Sequence, residues 1–224
     1  MRRGHRDSPQ TSVARAGMTQ LPAASRAGRG EGSLRRELRE RVAFLRGFIA
    51  HPDQVGSVIP SSRVLEQRLV RCAGLARARC VVELGPGTGG TTRAFLRALP
   101  AGGQLLAIEL SEAFADRLRA SVRDPRLAVV NGSAEFIGRF LDERRLPAPD
   151  AVISGIPFST MPGEVADRIA GEIARVLGPG GRFVAYQVRA HVAGYARPYL
   201  GPPRTEWEFV NVPPVRVFTW TRSG

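Results

Sequence analysis

Glu83 sits inside an apolar run, Cys80 to Leu84, and Gly85, Gly87 and Gly89 follow it at every second position. A second acid, Glu109, comes 20 residues after Gly89. Glycines lacking a Cβ let the backbone turn sharply and lie against a ligand, and the helix expected behind them presents free N–H groups. A dinucleotide turn wants G-x-G-x-x-G facing a pyrophosphate; here the spacing is G-x-G-x-G, with an acid in front. A carboxylate beside the turn repels phosphate and suits a cationic or zwitterionic ligand. An acid about 20 residues beyond such glycines is placed to accept from a pair of ribose hydroxyls.

A second set of polar and aromatic residues falls where later strands should end. These are Asn131-Gly132-Ser133-Ala134, then Ser154-Gly155-Ile156-Pro157-Phe158, and then Tyr186, Arg189, His191 and Tyr195. Upstream, Pro60-Ser61-Ser62-Arg63 precedes a helical stripe. Each also has a plainer reading, as a packed aromatic, a surface histidine or a solvated arginine.

Repeated βα units are expected to position these groups. Ser61 or Ser62 caps a helix from Arg63 to about Ala76. Strand 80–84 leads to helix 91–99, and strand 104–109 to a helix capped by Ser111. Strand 127–130 leads to a short helix near 134–141, and strand 151–154 to a helix near 162–177. Gly178-Pro179-Gly180-Gly181 breaks that helix before strand 182–188. Such alternation implies a parallel sheet with helices on both faces. The segments 206–212 and 215–221 flank Pro213-Pro214 and read as a terminal antiparallel hairpin.

Residues 1–33 are rich in Arg, Gly, Ser, Ala and Pro without periodicity and read as a disordered tail; Met18 is an alternative start. Residues 34–52 carry an apolar stripe (Leu34, Leu38, Val42, Leu45, Phe48, Ile49) opposite a face of arginines. That pattern suits either a helix packed on its own domain or one lying in a membrane interface. The remainder, 53–224, is one domain of adequate size for a core.

The net charge is +13, with no lysine in the chain, which favours polyanions or an anionic membrane surface without choosing between them. No apolar run approaches the roughly 20 residues of a spanning helix, and no secretory signal is evident. Cys72 and Cys80 lack metal or redox spacing and read as reduced thiols of a cytosolic protein.

The stretch Glu83–Gly89 resembles the first motif of the S-adenosylmethionine (SAM)-dependent methyltransferases. The resemblance implies a Rossmann-like α/β fold with a mostly parallel seven-stranded sheet, a terminal antiparallel hairpin and SAM as cofactor. It implies that Glu83, Gly85, Gly87, Gly89, Glu109, Ser133, Ala134 and Ser154 hold that cofactor. Ser133 stands where relatives often have an Asp that accepts from the adenine amine. The loop from Ser154 faces the transferred methyl. Adenine-N6 methyltransferases put Asn or Asp two residues before a Pro-aromatic pair; Pro157-Phe158 is kept here, but the polar place is Gly155.

More narrowly, the chain from about Phe44 to Trp220 resembles the bacterial phospholipid N-methyltransferases. The resemblance rests on Phe44-Leu45-Arg46-Gly47-Phe48, His51-Pro52, Pro60-Ser61-Ser62-Arg63, the glycine motif, Ser154–Phe158 with Pro162, and Asn211-Val212-Pro213-Pro214-Val215-Arg216-Val217. It implies stepwise N-methylation of phosphatidylethanolamine toward phosphatidylcholine, by a cytoplasmic enzyme bound peripherally to the inner membrane through helix 34–52. Ser61, Ser62, Arg63, Gly155, Pro157, Phe158 and Arg189 are the expected substrate contacts, with Arg197 a further candidate for lipid phosphate. Tyr186, His191 and Tyr195 are the candidates for accepting the amine's proton. Phe158, Tyr186, Tyr195 and Trp207 are candidate cation–π walls, with core packing preferred for Trp207. The competing reading is an rRNA or DNA adenine methyltransferase; nucleic acid is the disfavoured partner. A third, a non-catalytic polyanion-binding module, is opposed by the intact Glu83–Gly89 and Glu109.

Overall fold

The protein's structure, a computed structural model, describes residues 62–211 and 213–223. The tail 1–33, the helix expected over 34–52, and Ser61 lie outside the described residues.

Ser62 opens the first helix, α1 (Arg63–Ala73): its Oγ accepts from the Leu65 amide at 3.1 Å, satisfying one of the unpaired N–H groups of the first turn. The helix stops three residues earlier than expected, because Gly74 takes a left-handed φ of 68° and closes it. A single 3-10 turn, Leu75–Arg77, then leads into the sheet.

Five βα units follow. They are β1 (Cys80–Leu84) and α2 (Gly90–Ala98), β2 (Gln104–Glu109) and α3 (Glu112–Ser121), β3 (Leu127–Asn131) and α4 (Ile137–Glu143), β4 (Ala151–Ser154) and α5 (Gly163–Val176), and β5 (Arg182–Gln187) and α6 (His191–Leu200). The chain ends in β6 (Arg204–Glu208) and β7 (Val215–Thr221). The strand order is β3-β2-β1-β4-β5-β7-β6. β1 to β5 are parallel, and β7 runs antiparallel between β5 and β6. This is the expected seven-stranded, mostly parallel sheet.

Helices cover both faces, so the central strands read as mostly apolar runs, with Glu83 the polar exception inside β1. Strand alternation sends Cys80, Val82 and Leu84 into one layer, with Ile137, Ile169, Ile173 and Val192 of α4, α5 and α6. It sends Val81 into the other, with Leu65 and Leu69 of α1 and Phe95 of α2. Phe183 of β5 stacks on Trp220 of β7 at 4.8 Å, and the Trp220 indole N–H donates to the Gly201 carbonyl. Both thiols are free, with Cys80 buried.

Three local expectations are corrected. The first hairpin strand is 204–208, not 206–212. Glu208 turns its carboxylate onto the Val210 amide at 3.0 Å, and Pro214, next to β7, has no N–H for the ladder. Helix α6 was not anticipated, since Gly194 and Pro198 interrupt its pattern; burial of Val192 and Ala196 one turn apart holds it. Ser111 precedes α3 without a side-chain cap; its backbone N–H instead donates to Glu109.

Candidate active site

The sheet reverses its order of filling between β1 and β4, the place where open α/β sheets bind ligands, beyond the carboxyl ends of the strands. The β1 turn and the β4 loop meet there. The Gly155 amide donates to the Leu84 carbonyl, and the Gly85 amide to that of Ile108. Gly85 (φ 72°) and Gly89 (φ 81°) are left-handed and crowded: a Cβ would lie 2.7 Å from Ile156 Cγ2 at the first and 2.5 Å from Leu118 Cδ1 at the second. Above Gly87 there is open space, with no atom within 4 Å of where a Cβ would be. The turn is therefore tight underneath and bare on one side.

Both acids are built into this turn. Glu83 shares the face of Val81, toward α2, and is buried. Its two oxygens accept from the hydroxyls of Thr91 (2.5 Å) and Thr92 (2.7 Å). Burial pushes its carboxyl up to about 7, against the opposing pull of the two threonine hydroxyls. Glu109 ends β2; Oε2 accepts from the Gly87 amide and Oε1 from the Ser111 amide, each at 3.0 Å. Burial raises its pKa, and these backbone bonds oppose the shift. The Leu110 N–H also bonds this carboxylate, which offers about four lone-pair sites, so acceptor capacity remains. A bare glycine turn beside an oriented carboxylate with acceptor capacity to spare fits a nucleoside bearing a ribose diol.

After β3, Ser133 donates to Glu135 Oε2 at 3.0 Å and accepts from the Glu135 amide at 3.3 Å. Glu135 also holds Arg168 of α5 at 2.7 Å. Glu135 was not singled out in the sequence; an acid two residues after a strand-ending Ser is its only local signal. Ala134 is buried at the start of the 3-10 turn 134–136, so its backbone is what it offers.

The β4 loop is where expectations change most. Ser154 is fully buried, and its Oγ faces the Ile156 amide at 3.4 Å. It shapes the loop from below and presents no hydroxyl to a ligand. Phe158 is 1% exposed in the core, 6.3 Å from the Tyr195 ring, so neither face is open to a cation. A Cβ on Gly155 would collide with the Tyr186 hydroxyl and lie 2.9 Å from Tyr186 Cζ. Gln187, unremarked in the sequence, donates its amide to the Ile156 carbonyl at 2.6 Å and pins the loop to β5; a polar residue closing an apolar strand was the available hint. Pro157 is half-buried.

The three candidates for taking a proton are placed differently. Tyr186 abuts Gly155. Tyr195 lies against Phe158, its hydroxyl 3.5 Å from where a Cβ of Gly163 would be. His191 is exposed at the start of α6. Arg63, Arg189 and Arg197 are exposed; Ser62 is spent on its helix. Trp207 is 43% exposed rather than packed in the core, stacked on Phe209 with Arg216 above its ring.

A doubly covered sheet in this order, with a glycine turn and two acids at its switch point, defines a nucleoside-cofactor-binding α/β enzyme of the methyltransferase class. A family model described as "Methyltransferase domain" matches residues 81–181. An ornithine lipid N-methyltransferase from Singulisphaera acidiphila is 30% identical over 147 residues, 65% of this chain and 77% of that protein. A ribosomal RNA small subunit methyltransferase A from Nocardia farcinica is 29% identical over 195 residues, covering 75% of this chain and 61% of the relative. Among solved structures, the O-methyltransferase TomG from Streptomyces achromogenes, in complex with SAM, superimposes with a TM-score of 0.59 at 21% identity, covering 81% of this chain and 90% of that one. The N-methyltransferase NodS from Bradyrhizobium japonicum gives 0.59 at 12% identity, over 74% and 98%. The chain belongs to the SAM-dependent class I methyltransferases, and SAM is its cofactor. No helix among the described residues is long and apolar enough to cross a membrane.

Proposed function

We propose that this enzyme methylates the aliphatic amine of a membrane-lipid head group, with phosphatidylethanolamine and its mono- and dimethyl derivatives as substrates on the way to phosphatidylcholine. The observation that carries this reading is Gly155 itself, packed against the Tyr186 hydroxyl at the place where an adenine methyltransferase would carry the Asn or Asp that polarises a planar adenine amine. The likeness to an ornithine lipid N-methyltransferase supports it. The likeness to the ribosomal enzyme, together with Pro157-Phe158, favours RNA adenine as the second reading.

The cofactor supplies an electrophilic methyl group on a sulfonium. Glu109 would accept from the ribose hydroxyls, and the backbone from Gly85 to Gly89 would lie against the amino-acid portion. Glu83 acts from beneath, tying the start of α2 to the turn. Ser133 and Glu135 border the base. Gly155 and Pro157, held by Gln187, receive the amine, with the Tyr186 hydroxyl beside it. A lipid ammonium has a pKa like that of a lysine, about 10. Desolvation in the site, next to another cation, lowers it, so that water can take the proton and leave the nitrogen lone pair free to displace the sulfur from the methyl carbon. Arginines at the rim suit the lipid phosphate.

The test supplies methyl-labelled SAM to vesicles containing phosphatidylethanolamine, to vesicles containing ornithine lipid, and to total RNA. Label in phosphatidylethanolamine supports the proposal. Label in ornithine lipid alone retains lipid N-methylation and replaces the substrate. Label only in RNA overturns it.

A further inference from the structure

The register places an unusual surface beside the site. The last residue of β5, Gln187, faces Arg216 of β7, and the last residue of β6, Glu208, faces Val215. Residues 209–211 and 213–214 therefore lie at the carboxyl end of the parallel strands, the end that carries the Gly85–Gly89 turn and Gly155. The sequence from 209 to 214, Phe-Val-Asn-Val-Pro-Pro, contains no charge. Phe209 is 70% exposed, Val210 62%, and Trp207 just before them 43%.

Two more exposed apolar residues adjoin this tip. Val188 follows Gln187 at the end of β5. Val64 lies in the first turn of α1, two residues from Ser62, whose amide donates to Asn211 Oδ1 at 3.1 Å. Among the described residues, the only other large apolar side chain so exposed is Tyr199, which hydrogen-bonds Asp167. Exposed apolar groups scattered singly mean little, but a contiguous set marks an interaction surface.

The cations in this patch are unusual too. Arg63 and Arg189 stand next to Val64 and Val188 and, like Arg216, make no ion pair among the described residues. Arg216 lies over the Trp207 ring at 4.4 Å, and its Nε is buried without a hydrogen-bond acceptor. Unpaired guanidinium groups interleaved with an aromatic, uncharged tip match one kind of partner: an apolar phase bordered by anionic groups. Tryptophan and arginine are the side chains that settle at a lipid–water boundary.

We propose that the β6–β7 tip is a membrane-contact edge. Trp207, Phe209 and Val210 enter the boundary between head groups and acyl chains, and Arg63, Arg189 and Arg216 meet lipid phosphates. The inference rests on the lipid-amine reading above. An amine tethered to a bilayer reaches no further than its head group, so the enzyme must meet the membrane at the end of the sheet where the β1 and β4 loops converge.

The chain has two tryptophans, and Trp220 is 1% exposed, so Trp207 is a built-in reporter. The full-length enzyme is mixed with phosphatidylglycerol–phosphatidylethanolamine vesicles carrying brominated acyl chains. Trp207 emission should shift to the blue and be quenched, and W207F should lose that response. A variant carrying F209D and V210D should sediment with the vesicles at least tenfold more weakly, while binding SAM as the wild type does in calorimetry. Several results overturn the proposal: no sedimentation, sedimentation without quenching, wild-type sedimentation of the double variant, or a Trp207 already buried before vesicles are added. Methylation is scored separately in the same samples. Transfer to lipid without quenching sinks the contact edge alone; quenching without transfer sinks the substrate reading alone.

Discussion

The hydroxyl of Tyr186 fills the space that a side chain on Gly155 would need, so this residue of β5 and the first residue after β4 define each other at the mouth of the site. Gly155→Asn should lose methyl transfer at least tenfold and destabilise the fold by about 1–3 kcal/mol, the usual cost of overpacking. Tyr186→Ala should remove the collision. In a double-mutant cycle, the stability loss of Gly155→Asn should therefore be smaller in the Tyr186→Ala background than alone. Additive losses in thermal melts would show that the two side chains do not compete for that space.

Glu83 makes stability depend on pH in an unusual direction. Its folded pKa, about 7, lies above the ordinary value of 4.5. The folded state thus holds an extra proton between those values, and its contribution is full below about pH 4.5 and lost as pH rises through 7. At 1.36 kcal/mol per pKa unit the swing is about 3 kcal/mol. Glu83→Gln carries no ionisable proton, so its denaturant midpoint should fall less between pH 5 and pH 8 than that of the wild type. An unchanged slope would assign the proton elsewhere.

The Ser62 amide and the Asn211 side chain lie 149 positions apart in the chain and meet at 3.1 Å. Asn211→Ala strands that donor at a partly buried helix start, and the expected loss is about 1–3 kcal/mol. Ser62→Ala removes only the cap on Leu65, about 1 kcal/mol. Hydrogen exchange tells the two apart: the Ser62 amide should exchange faster in Asn211→Ala. Equal exchange in both variants would mean that Asn211 does not hold it.

The same contact joins two segments that carried the family resemblance, the entry to α1 and the stretch that begins at Asn211. Nothing local in either stretch points to the other. Phe158 and Ser154 teach a related lesson. Both have residue types that suit a binding loop, yet Ser154 is buried at the end of β4, a strand between β1 and β5, and Phe158 in the loop after it is buried in the core cluster. Trp207 is the opposite case: a residue expected in the core stands exposed on the edge strand β6.

The order of strands and helices, the glycine turn and the two acids around it were legible in the chain itself. Each depends on interactions within a few residues: apolar periodicity, freedom of φ at glycine, and caps such as Ser62. The hairpin bounds and helix α6 are not legible locally, because their decisive contacts, strand pairing for β6 and burial of Val192 and Ala196 for α6, come from distant segments. Tertiary structure alone decided that Tyr186 stands over Gly155, that Gln187 holds Ile156, and that an apolar tip shares the cofactor's end of the sheet. Residue type limits what a side chain can do, but its direction and its neighbours follow from pairing and packing between segments far apart in the chain.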